Sequence, residues 1–131
     1  MKRVAIVFAL LVVFVIGAGF VLAWSHDRSG YQNTAYSVSY SRDAFNHLTV
    51  GTPRSNVVAA LGVPLSTRVD PSYPADTFGD EVVRRFGSHS NITVEFLYFS
   101  KPKDQMHDFH WVQVCIGPDT TVVGTSSYIT D

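Results

Sequence analysis

The sequence predicts an α+β chain: an N-terminal transmembrane helix, then two short helices packed on a three-stranded antiparallel sheet as a two-layer sandwich. Three observations predict it. An uncharged apolar run of 21 residues, 4–24, opens the chain. Apolar residues at helical spacing, bracketed by capping and breaking residues, fill 41–64. Three stretches between 92 and 129 show strand-like alternation or are rich in β-branched residues. A length of 131 residues leaves room for one small domain, and a formal net charge of −1 offers no basic footprint for nucleic acid.

At about 1.5 Å per residue, a helix over 4–24 reaches about 30 Å, enough to cross a hydrocarbon core. Lys2 and Arg3 precede it, which holds the N-terminus in the cytoplasm and puts the domain in the periplasm or extracellular space. The membrane is therefore the expected partner of 4–24, with Trp24 as an interfacial anchor. The alternative is a cleaved signal peptide cut after Ala23. No cysteine lies near the end of the run, so lipid attachment there is excluded chemically. Residues 25–40 are polar and without helical period, and are expected to be a linker to a domain at 41–131.

Within that domain, Ser41 or Asp43 caps a short helix carrying Phe45 and Leu48, and Gly51 breaks it. Thr52 is the expected N-cap of a second helix, with Pro53 at its first position. Val57, Val58 and Leu61 give that helix an apolar stripe, and Gly62 and Pro64 end it. Pro71, Pro74 and Gly79 mark 70–90 as loop, with 81–86 open between a strand and a helical turn. Strands are expected at 92–99, 109–116 and 121–129, the last two joined by a turn at Gly117-Pro118-Asp119. In the first strand Ile92, Val94, Phe96 and Tyr98 share one face, taken to be the helix-covered one, and Leu97 and Phe99 share the other.

The run FNHLTVGTPRSNVVAALGVP at 45–64 carries an apolar pair, then Gly-x-Thr, then valines, then Leu-Gly-x-Pro. It resembles the SmpA/OmlA (BamE-like) domain family, and the strands that begin at Glu95-Phe96-Leu97-Tyr98-Phe99 and end at Tyr128 look like that family too. The resemblance spans roughly 43–131 and implies a binding module without cofactors.

Catalytic chemistry finds little footing. Cys115 is the only cysteine, so neither an internal disulfide nor a cysteine metal site is available, and its apolar neighbours Val114 and Ile116 suggest a buried small hydrophobe. Asp104, His107, Asp108 and His110 are the one cluster of ligand types, at a loop-to-strand junction that suits a solvated loop better than zinc. No phosphate loop or nucleophile elbow is present. Asn91-Ile92-Thr93 matches a glycosylation acceptor. The chain is thus expected to be no enzyme and to need no cofactor or metal. It is read as a membrane-tethered extracytoplasmic protein-binding accessory module for envelope or outer-membrane protein assembly, with a secreted inhibitor or small-ligand-binding domain on the same scaffold as the alternative. Its partner surface is assigned to Leu97, Phe99 and Trp111, on the sheet face away from the helices.

Overall fold

A computed structural model describes residues 2–104 and 108–130. The chain is α+β, but its architecture differs from the expected sandwich. Helix α1 (Lys2–Gln32) leads to strand β1 (Thr34–Tyr36), helices α2 (Arg42–Asn46) and α3 (Arg54–Leu61) and strand β2 (Ser66–Pro74). A 3-10 turn (Ala75–Phe78) and α4 (Asp80–Phe86) follow, then β3 (Asn91–Tyr98), β4 (Ser100–Pro102), β5 (His110–Ile116) and β6 (Val122–Ile129). The described residues hold no three-stranded sheet: β2-β3-β5-β6 form an antiparallel four-stranded one, and β1 pairs with β4 in a second. The additional strand is β2, whose polar, proline-containing sequence is ordered by its ladder to β3, from Ser66 opposite Tyr98 to Pro74 opposite Asn91.

The membrane anchor is also corrected. α1 does not stop at Trp24 but continues to Gln32, and among the described residues no helix is long and apolar enough to cross a membrane. The periplasmic or extracellular placement rested on that anchor and falls with it. The described apolar side chains between Val12 and Trp24 are exposed, while the far end of the helix joins the domain. A side chain at Gly30 would meet Ile129 Cγ2 of β6 at 2.7 Å, so glycine is what lets the Ile129 side chain pack directly on the helix. Residues expected as linker are likewise pinned. Ser37 N–H donates to the Phe99 carbonyl (2.9 Å) and its hydroxyl to the Leu61 carbonyl (2.8 Å).

Ser41 caps α2, its Oγ accepting from the Ala44 N–H (3.3 Å). Thr52 does not cap α3. Pro53 takes the N-cap position in extended backbone, and the Thr52 hydroxyl turns back to Thr49. The reason is tertiary: Thr52 O accepts from Val122 N–H and Gly51 N–H donates to Val122 O, both at 2.8 Å, so this segment is held extended beside β6 until Arg54. Val57 and Leu61 of α3 are fully buried, and Gly62 closes the helix at φ +83°, where an added Cβ would lie 2.9 Å from Ser39 Cβ.

The sheet is packed on both faces. On one, α2 and α3 bury Leu97, Phe99, Val112, Val114, Ile116 and Val122. On the other, the 3-10 turn and α4 bury Ile92, Val94, Phe96, Cys115 and Val123 against Ala75 and Val82. The faces are the reverse of those expected from the sequence. Arg54 of α3 bonds Glu95 through two contacts of 2.7 and 2.8 Å, which fixes the odd-numbered side of β3 toward that helix.

Candidate binding surface

The expected contact residues do not come together. Leu97 and Phe99 are fully buried beneath α2 and α3. They lie inside because that helix pair takes their face of β3. Trp111, half-buried, stands on the opposite face, because Leu97 pairs with Val114 and Tyr98 with Gln113, putting Trp111, Gln113 and Cys115 on the Tyr98 side.

Around Trp111 the sheet gathers aromatic groups that the sequence left on three separate strands. Its ring meets Tyr98 edge-on (5.0 Å between centroids, 64°), Phe109 edge-on (5.4 Å, 63°) and Tyr128 at 6.5 Å. Such tilted arrangements are the favoured geometry for aromatic quadrupoles. Tyr128 is 52% exposed. Arg68 on β2 lays its guanidinium 4.8 Å from the Phe96 ring, adding a cation beside the aromatic row. Trp111 Nε1–H donates to Gln113 Oε1 (3.3 Å), and Gln113 Nε2–H donates to Cys115 Sγ (3.4 Å), which orients the Trp111 indole. Below Gln113 a cleft of about 310 Å³ opens among Tyr73, Phe78, Phe96, Cys115 and Ser126. Burial pushes the Cys115 thiol up to about 11, so at neutral pH it is an un-ionised group in the cleft wall rather than a nucleophile.

His110 is not the solvated residue expected of its cluster. It is buried on the α2/α3 side, with Nδ1 2.8 Å from the Tyr36 hydroxyl and Nε2 2.6 Å from the Ser127 hydroxyl. Tyr31, at the end of α1, packs on its ring at 4.6 Å. Burial lowers its pKa and nearby Arg42 lowers it further. Asp104 is exposed, Asp108 is half-buried, and His107 lies outside the described residues. Among the described residues no group of three His, Cys, Asp or Glu side chains is placed to hold a metal ion.

Of the contact residues named from sequence, Trp111 lies on this surface; Tyr98, Tyr128, Arg68 and Gln113 were not named among them. The alternation of β5 already put Gln113 on the Trp111 side; the other three needed the register of β2, β3 and β6. Comparison with family models, curated proteins and solved structures returned no match, so the SmpA/OmlA resemblance is neither supported nor opposed.

Proposed function

We propose that the chain is a non-enzymatic protein-binding module whose partner docks on the sheet surface centred on Trp111. The observation that carries this is the row Tyr98–Trp111–Tyr128, side by side on the part of the sheet that α4 leaves uncovered. Amphipathic aromatics with an adjacent arginine are the groups that dominate protein interfaces, because they present large contact area at small entropic cost. The neutral, hydrogen-bonded Cys115 favours binding over nucleophilic chemistry.

The test is a photo-crosslinking residue placed at Tyr128, with Thr93, exposed on the opposite face, as the control position. A protein captured from Tyr128 and not from Thr93 is then purified and titrated against the chain. Trp111→Ala should weaken that binding by about 30-fold, equivalent to about 2 kcal/mol. Unchanged affinity overturns the proposal.

The cleft beneath Gln113 favours a second reading. Its volume of about 310 Å³ falls at the small end of the range for small-molecule sites. A small ligand held there would be recognised by Gln113 and Ser126 against apolar walls.

A further inference from the structure

β2 is an edge of the main sheet: it pairs with β3 and with no other strand among the described residues. Most of its side chains are exposed, Val69 to 61%. The direction of its free backbone groups follows from the ladder. Phe99 N–H donates to Val112 O on the β5 side (3.0 Å), so by alternation the even residues of β3 turn their amides to β2. Their partners Arg68 and Asp70 spend their backbone groups on β3. Thr67 and Val69 therefore hold N–H and C=O outward, and an edge of this kind is a template for another strand.

The side chains on this edge are self-complementary. Arg68 and Asp70 lie on the Trp111 face and Val69 on the other. Neither Arg68 nor Asp70 is ion-paired within the chain among the described residues. We propose that β2 pairs antiparallel with β2 of a second copy about a two-fold axis at Val69, each Arg68 facing the partner subunit's Asp70. At this register the two Val69 residues exchange both backbone hydrogen bonds, and pairing stops at the irregularity after Asp70, where the Pro71 carbonyl accepts from the Thr93 hydroxyl (3.4 Å) on β3. Arg68 and the partner subunit's Asp70 then form a non-hydrogen-bonded pair, the arrangement in which facing side chains are closest. Pro71 has no N–H to offer, which ends the ladder there and confines pairing to the segment with matched charges. A slip of two residues, which moves the axis to Arg68, would place Arg68 opposite the partner subunit's Arg68 and oppose like charges, so the charges also select the register. Arg68 also borders the Trp111 surface, but β2 pairing needs nothing docked at Trp111 and stands independently of that reading.

Val69→Cys in the full chain tests it. The native Cys115 is buried and contributes no background crosslink. Across the axis the two introduced cysteines have Cα atoms about 5.5 Å apart, within the roughly 4.4–6.8 Å that a disulfide spans. Mild oxidation should yield a covalent dimer. Thr67→Cys should not, since its two copies are offset by four residues, about 14 Å along the strands. Adding Arg68→Asp to Val69→Cys should reduce crosslinking several-fold, and further adding Asp70→Arg should restore it. The proposal is overturned if Val69→Cys stays monomeric or crosslinks to another protein instead. It is equally overturned if Thr67→Cys crosslinks as well, or if the double charge reversal fails to restore what the single one removes. The comparison of Val69→Cys with Thr67→Cys keeps the native charges and so stands even where a charge-reversed chain is poorly folded.

Discussion

Truncating Leu97 distinguishes a core sheet face from a contact face. Leu97 is fully buried among Val57, Leu61, Phe99, Val112 and Val114. Leu97→Ala removes three carbon groups, about 2.4 kcal/mol at roughly 0.8 kcal/mol per buried methylene. The site has rigid walls on both sides, helix α3 and strand β5, so a cavity remains and raises the loss to about 3–4 kcal/mol. For a domain of this size that lowers Tm by roughly 15 °C or more. Urea unfolding should show the midpoint falling with the slope m unchanged, since the surface exposed on unfolding barely alters. Trp111→Ala, on the half-open face, should cost about 2 kcal/mol or less, because part of the ring already meets water. A Leu97→Ala loss below about 1 kcal/mol, or one smaller than that of Trp111→Ala, refutes the assignment of the faces.

Two further outcomes follow from buried titratable groups. His110 has its pKa held below 6.5 by burial and by Arg42, with Tyr31 and Tyr36 the other titratable groups facing it. The unfolded chain therefore takes up a proton before the folded one, so this contribution is complete above about pH 6.5 and is lost as pH falls toward the folded-state value. Chemical denaturation should show wild-type stability declining below pH 6.5, with that slope absent in His110→Gln; equal slopes in the two proteins would exclude His110 as the cause. Cys115, un-ionised and buried, should resist thiol-reactive dye in the folded chain at pH 8 and react on unfolding. Rapid labelling of folded protein would contradict its placement.

The parts of the fold legible in sequence are those fixed by local chemistry. Ser41, Gly62 and Pro64 punctuate α2 and α3, alternation reveals β3 and β5, and β-branched content reveals β6. Elements ordered by distant partners were not legible. β2 carries prolines and charges and is a strand because β3 lies beside it, and β1 is held by Ser100–Pro102, 68 positions later at the Thr34 end. Thr52 was read as a cap because its type suits one; the ladder to Val122 outweighed that preference. The binding surface shows the same division. Alternation separates Leu97 from Tyr98 without saying which side the helices take, so Leu97 and Phe99 were assigned to the wrong face.

The uncovered aromatic row has a geometric cause. α4 has seven residues and spans about 10 Å, whereas an eight-residue strand such as β3 runs about 27 Å. Arg85 ties α4 to Asp119 and to Thr121 (2.6 Å), at the β5–β6 turn. The short helix therefore covers the sheet end where Ile92, Val94 and Cys115 lie, and leaves Tyr98, Trp111 and Tyr128 at the other. Arg68 joins this open end to the β2 edge. Antiparallel pairing of β2 with a second β2 has its two-fold axis perpendicular to the sheet, so both copies turn the same face to the same side. The pair then presents two Trp111 surfaces on one continuous sheet, and a partner carrying two matching sites gains from effective concentration without any new contact. Such a partner should lose avidity on Asp70→Arg, which opposes like charges across the axis and leaves Arg68 and the aromatic row in place. A monovalent fragment of the same partner should bind wild type and Asp70→Arg alike; a loss of monovalent affinity would instead make Asp70 part of the contact surface.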